Sequence, residues 1–416
     1  MSSNDSQQLK RALGVPGAVL MGLGSIIGTG IFVGIATASR VAGASITIAV
    51  ALGAIVATCN GLSSAQLAAA HPVSGGAYEY GYRYLNPTLG FTAGWMFIAA
   101  KTASAATAAL GFGGYALALF DASDRTLQIA LAIGAAIVLT AIVIGGIQRS
   151  NRTNVIIVSI TLLSLLAFVV GGLPHVDTAN LELGHASIRD IAHATALMFV
   201  AYTGYGRIAT LGEEVRDPAR TIPRAVVLAL AVTLVLYLAV TVVAVGSAGA
   251  TRLAAASRAP LEAIAVQPAV RYAVAIGAVT AMLGVILNLV LGISRVVLAM
   301  ARRGDLPRAL AHVEKASPRR AVLVVGIAIA ALSLIGSVET TWSFSAFTVL
   351  VYYAIANLSA LRQPADQRRF PRAVPIVGLV SCLGLAFWVE PTIWIVGLGL
   401  IAVGLALRWA RKLLMA

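Results

Sequence analysis

Residues 22–34 read GLGSIIGTGIFVG, an apolar stretch of membrane-helix character carrying Gly22, Gly24, Gly28, Gly30 and Gly34, with Ser25 and Thr29 between them. Glycine gives up the backbone restraint on which a helix depends. This helix is therefore expected to open at Gly28 to Gly30, leaving amides and carbonyls without intrahelical partners. In hydrocarbon such groups are costly unless protein, water or a ligand satisfies them. The break is a place for something polar to bind. A plainer reading is that the glycines only let neighbouring helices approach closely, as small residues do in membranes.

The rest of the composition agrees with a membrane setting. Of 416 residues, 59% are hydrophobic and 11% charged, against about 25% charged in a soluble domain. Cys59 and Cys382 both lie in apolar runs, so neither a disulfide framework nor a thiolate metal site is expected. A net charge of +14 could indicate a nucleic-acid binder, but the basic residues fall in alternate loops, the pattern that membrane topology requires. Residues 1–14 are polar and the first apolar run is too long for a signal peptide, so no cleaved leader is expected.

Apolar runs of about 20 residues predict twelve spans, near 15–39, 42–68, 87–120, 126–147, 153–172, 190–211, 222–248, 268–300, 320–337, 340–361, 373–389 and 391–410. They are called helices 1 to 12. The connection between helices 2 and 3 has room for a short helix of its own. With both termini on the cytoplasmic side of the cell membrane, 21 of the 30 basic residues collect there, 6 face the other side, and 3 remain in spans: Lys101, Arg207 and Arg295. Helix 6, ALMFVAYTGYGRIATLGEE, is again interrupted, at Thr203, Gly204 and Gly206. Interrupted helices at corresponding places in two groups of five predict an inverted repeat with its site between the breaks. The expected units are a tail at 1–14, a first repeat at 15–172, a second at 173–361, and helices 11 and 12 with the C-terminus at 362–416.

Four motifs in order, GSIIGTGIF, PVSGGAYEYGYRYLNPTLGFTAGW, FVAYTGYGRIATLGEEVRDPARTIPRAV and GISRVVLAMARRGDLPRAL, resemble the amino acid/polyamine/organocation (APC) permeases over roughly residues 14–361. The resemblance implies an all-α, LeuT-type 5+5 fold with discontinuous helices 1 and 6. It also implies alternating-access transport of amino acids or related amines, coupled to protons or to exchange. It places the substrate carboxylate on free amides of Gly28, Thr29 and Gly30, beside Ser25, and the ammonium on carbonyls of Ile26, Val200 and Thr203, next to Gly204. Tyr202 matches an aromatic position that covers the substrate. A half-helix N-terminus favours an anion at such a place.

Lys101 lies about 14 residues beyond Pro87, roughly 20 Å along helix 3 and so near mid-membrane. Ionisable residues at that depth usually face a cavity, and burial penalises the charged ammonium, which suits Lys101 to exchanging a proton. Many of the permeases it resembles carry a lysine in helix 5 where this chain has Thr161. Either Lys101 has taken over that proton-linked role, or the vacated place holds water or Na+ and transport is coupled otherwise. A lysine that packs its stem and reaches a nearby carbonyl is the structural alternative. Arg207 either lines the cavity and favours an acidic substrate or turns into the scaffold. Arg295 is expected to be a structural or gating partner of Glu213, Glu214 or Asp217.

No Asp or Glu lies mid-span, which disfavours cationic cargo. No acid, base or nucleophile cluster of an enzyme is found in the spans, no cofactor is implied, and no histidine pair has metal-ligand spacing on one helix. The sequence thus favours a permease for small neutral L-amino acids with H+ or Na+ as coupling ion. Its alternatives are a carrier of acidic amino acids or another anionic metabolite using Lys101 and Arg207 as counter-charges, and a non-transporting amino acid sensor.

Overall fold

The computed structural model describes residues 13–71, 75–145, 151–184, 186–209, 215–313 and 318–415. Among these residues the chain is helical, with a single one-residue bridge between Leu13 and Val215. Helix 1 comprises Val15–Ile26, a π-helical turn Gly30–Gly34 and Ile35–Ala42. The long helices that follow are Ile46–Ala70, Pro87–Ala118, Arg125–Ile144, Asn151–Gly172 and Ile188–Tyr202, then Pro218–Ala248, Pro268–Arg303, Arg319–Ser333, Val338–Arg362, Ala373–Ala386 and Pro391–Met415. They match the twelve apolar runs in order. Among the described residues, seven helical stretches are long and apolar enough to cross a membrane. Helices 6, 9 and 11 are shorter, at 15, 15 and 14 residues.

Local chemistry sets the ends. Asn86 caps helix 3 by accepting from the Leu89 amide, with Pro87 in the first turn, where a missing N–H costs nothing. Ser187 and Asp190 form a capping box at the start of helix 6. Gly304 ends helix 8 at φ +87°, a conformation that glycine adopts without strain. The connection between helices 2 and 3 does contain a short helix, Ala77–Tyr84.

Helix 3 is the central column and packs along helices 8 and 10. Its small residues permit this, and hydroxyls stitch the seam with helix 10: Ser104 Oγ and Ser345 Oγ are 2.7 Å apart, and Thr107 donates to Thr341 at 2.8 Å. Helix 1 lies among helices 5, 6, 7 and 8, while helices 11 and 12 sit outside, against helices 2, 3 and 10. Outward side chains there are apolar, as with Val380 and Val403, 65% and 53% exposed. That is the surface a bilayer would cover.

The bundle has two unlike ends. At the end holding Leu13, Asp305 and Arg408, a buried ion pair joins Arg408 Nε to Asp305 Oδ1 at 3.0 Å. Tyr78 and Tyr82 of the short helix donate to the other carboxylate oxygen at 2.9 and 2.5 Å. Arg303 adds a 2.7 Å pair with Glu79 and stacks over the Tyr82 ring. At the opposite end, two short helices, Ala250–Ala255 and Pro260–Ile264, fold over the bundle. There Arg40 pairs with Glu339 at 2.8 Å and donates to the Ala254 carbonyl at 2.9 Å. Tyr115 donates to the Phe32 carbonyl at 2.7 Å and accepts from the Leu261 amide at 3.1 Å.

Candidate functional site

Helix 1 opens where its glycines cluster. Its first part ends at Ile26, and Ile27 takes an extended conformation with ψ 107°. The helix resumes as a π-turn at Gly30, with Ile31 and Phe32 both donating to the Gly28 carbonyl at 3.2 Å. The amides of Gly28, Thr29 and Gly30 therefore stand at the start of the resumed helix, before any carbonyl of its own can accept them. Beside them the Thr29 hydroxyl is buried and has no hydrogen-bond partner. A buried polar atom left unpaired is costly, and this one lies on the wall of the cavity described below.

Helix 6 differs from the expectation. It does not unwind; it tightens into a 3-10 turn, Thr203–Tyr205, and resumes as Gly206–Ala209. Tightening keeps its carbonyls engaged, since the Thr203 amide and hydroxyl both donate to the Val200 carbonyl, the hydroxyl at 2.8 Å. The two breaks touch. A Cβ on Gly204 would collide with the Ser25 carbonyl and the Ile26 amide, and one on Gly30 with Ala201. Close packing and an opened backbone are thus both served by the same glycines.

A cavity of about 570 Å³ lies beside this contact. Ser25, Ile26, Thr29 and Gly30 of helix 1 line it, with Val200, Thr203 and Gly204 of helix 6 and Lys101 of helix 3. It runs from the breaks toward the end that carries Leu13, reaching Gly75, Gly76 and Arg295. Lys101 Nζ donates to Thr203 Oγ1 at 3.0 Å. Among the described lining residues there is no Asp or Glu.

Several expected residues stand elsewhere. Tyr202 does not cover the cavity: it is fully buried and donates to the Val50 carbonyl of helix 2 at 3.1 Å. Gly28 lies in the break but faces Val285 of helix 8. Arg207 is on the cavity wall and Arg295 is at the mouth, exposed to solvent. Glu213 and Glu214 lie outside the described residues, and Asp217 is 3.7 Å from Arg220. Thr161, where related permeases were expected to have lysine, is buried and returns its hydroxyl to the Ile157 carbonyl at 2.8 Å. Lys101 points to helix 6 rather than into that place.

Two tyrosines carry functions that sequence reading missed. Tyr237 of helix 7 donates to the Ile26 carbonyl at 2.9 Å and to the Ala201 carbonyl at 3.2 Å, so one hydroxyl holds both breaks. Tyr353 of helix 10 donates to the Thr203 carbonyl at 3.3 Å. A carbonyl oxygen accepts two bonds. Val200 and Thr203 are therefore saturated, the latter also accepting from the Gly206 amide, while Ile26 retains an acceptor position. Outside the spans, burial and the nearby Arg83 guanidinium lower the pKa of His71 from its ordinary value, against the opposing pull of Glu79.

Comparison with known proteins fits this arrangement. A family model described as amino acid permease matches residues 13–406. An uncharacterized transporter of Mycobacterium tuberculosis is 44% identical over 98% of this chain and 92% of its own length. A branched-chain amino acid permease of Bacillus subtilis is 27% identical over 92% of this chain and 88% of its own. A methylthioribose transporter of the same bacterium is 28% identical, covering 93% and 89%. On its residues and on these matches, the chain belongs to the amino acid permease family of the APC superfamily.

Proposed function

We propose that this chain is a secondary active transporter that moves amino acids across the cell membrane by alternating access. The observation that carries the reading is the unpartnered Thr29 hydroxyl beside three leading amides, on the wall of a cavity that runs to one end of the bundle. An α-carboxylate would accept from those amides and from Thr29, where the helix dipole favours it. The ammonium would donate to the acceptor position remaining on Ile26. Repeats at 15–172 and 173–361, with both termini cytoplasmic, would make this the inward-facing state, coupled to protons or to exchange. Cationic cargo is disfavoured by the lack of acidic side chains among the described lining residues. Small neutral L-amino acids are the class favoured by sequence. Between neutral and acidic cargo, the deciding side chain is Lys101.

Purified protein in liposomes is expected to take up radiolabelled alanine, serine or glutamate and to show counterflow, which a sensor would not. Thr29→Val, which removes the hydroxyl at nearly constant volume, is expected to raise KM roughly 10- to 100-fold, the worth of one hydrogen bond to a charged group. Uptake by the variant at the wild-type KM would detach Thr29 from the site.

The end held by Arg40 has to open for transport to complete. Its ion pair is partly exposed, 45% and 32%, and such pairs contribute at most about 1 kcal/mol. Arg40→Ala is expected to leave thermal stability nearly unchanged. It should increase labelling of an introduced Ser104→Cys by an impermeant thiol reagent applied from the Arg40 side of sealed vesicles. Unchanged labelling would remove Arg40 from the closure.

A further inference from the structure

We propose that Lys101, positioned by Thr203, forms a subsite for a side-chain carboxylate, so that the preferred cargo is an amino acid with an acidic side chain. The inference rests on the cavity being the transport site, as argued above. Lys101 stands on the cavity wall and spends one of its three N–H donors on a neutral hydroxyl, that of Thr203 at 3.0 Å. No ion-pair partner for it occurs among the described residues. Nor is there a carboxylate among the described residues of the cavity wall.

An ammonium at this depth gains from a counter-charge, because protein of low dielectric replaces bulk water only in part. Among the described residues, the side chain reaches the Thr203 hydroxyl and no helix carbonyl. It is held in the cavity on helix 3, whose neighbouring turn is fastened to helix 10 by Ser345, which donates to the Ala100 carbonyl at 3.0 Å. Position adds to the case. Thr203 adjoins Gly204, the point where helix 6 rests on Ser25 and Ile26. An amino acid with its carboxylate at Thr29 and its ammonium at Ile26 would thus have its side chain within the same cavity as Lys101. The two N–H groups without a hydrogen-bond partner among the described residues match the oxygens of a second carboxylate in charge and in donor number.

The test uses the full chain in proteoliposomes, with glutamate, aspartate, alanine and serine at matched concentrations. Wild-type protein is expected to take up glutamate or aspartate with a KM at least about tenfold below that for alanine. Lys101→Gln should cut the ratio of acidic to neutral uptake by at least about tenfold, and Lys101→Arg should restore much of it. Should Lys101→Gln fail to fold, the wild-type protein still decides, because glutamate must raise its thermal midpoint more than alanine does. Uptake of alanine or serine without acidic amino acids would overturn the subsite and leave the transporter reading standing. A Lys101→Gln loss shared equally by all four amino acids would also overturn it. Absence of uptake for all four would sink both readings.

Discussion

Gly204→Ala is expected to lose transport by roughly 10- to 100-fold while the protein remains in the membrane. The added Cβ meets backbone atoms, the Ser25 carbonyl and the Ile26 amide, and backbone cannot rotate away as a side-chain tip can. Overpacking of this kind costs about 1–3 kcal/mol, and each factor of ten in rate corresponds to about 1.4 kcal/mol. The strain would fall where the two interrupted helices meet, displacing Thr203 and the Ile26 carbonyl together. Gly134→Ala is the control, since nothing lies within 4 Å of a Cβ built there. Uptake rates that are equal in the two variants would show that the contact between helices 1 and 6 is irrelevant to transport.

Arg408→Leu is expected to have the largest effect on stability. Arg408 and Asp305 are 8% and 5% exposed, and Arg408 also donates to the Tyr82 hydroxyl at 2.9 Å. Removing one member of a buried pair leaves an uncompensated charge, at a cost of about 3–5 kcal/mol. Because the pair ties helix 12 to the end of helix 8 and to the short helix Ala77–Tyr84, the loss should appear as a lower thermal midpoint in detergent. Combining Arg408→Leu with Asp305→Leu should recover part of that loss, since no charge is then stranded. A double variant less stable than Arg408→Leu alone would mean that the carboxylate serves Tyr78 and Tyr82 more than it serves the arginine.

The helices and the opening in helix 1 were legible because their signals are local. Apolar run length marks the spans, and five glycines within thirteen residues mark the weak point. The helix 6 interruption was legible in place but not in kind: Thr203 can close a 3-10 turn with its own hydroxyl, which keeps Val200 occupied. Tyr202 was misread because neighbouring positions on a helix point about 100° apart. Thr203 faces the cavity, and Tyr202 faces helix 2. Tyr237 and Tyr353 left no local trace, since they reach acceptors 211 and 150 residues away in sequence. Asp305 and Arg408 likewise left no local trace, since they meet across 103 residues of sequence.

The Tyr237 phenol has a further consequence. It owns one hydrogen and shares it between two backbone oxygens, at 2.9 Å on helix 1 and 3.2 Å on helix 6. Neither bond can reach full strength while both persist, so this crossing is frustrated by construction. A small tilt of either helix would let the proton commit to one oxygen and release the other, so this shared hydrogen would register any movement between helices 1 and 6.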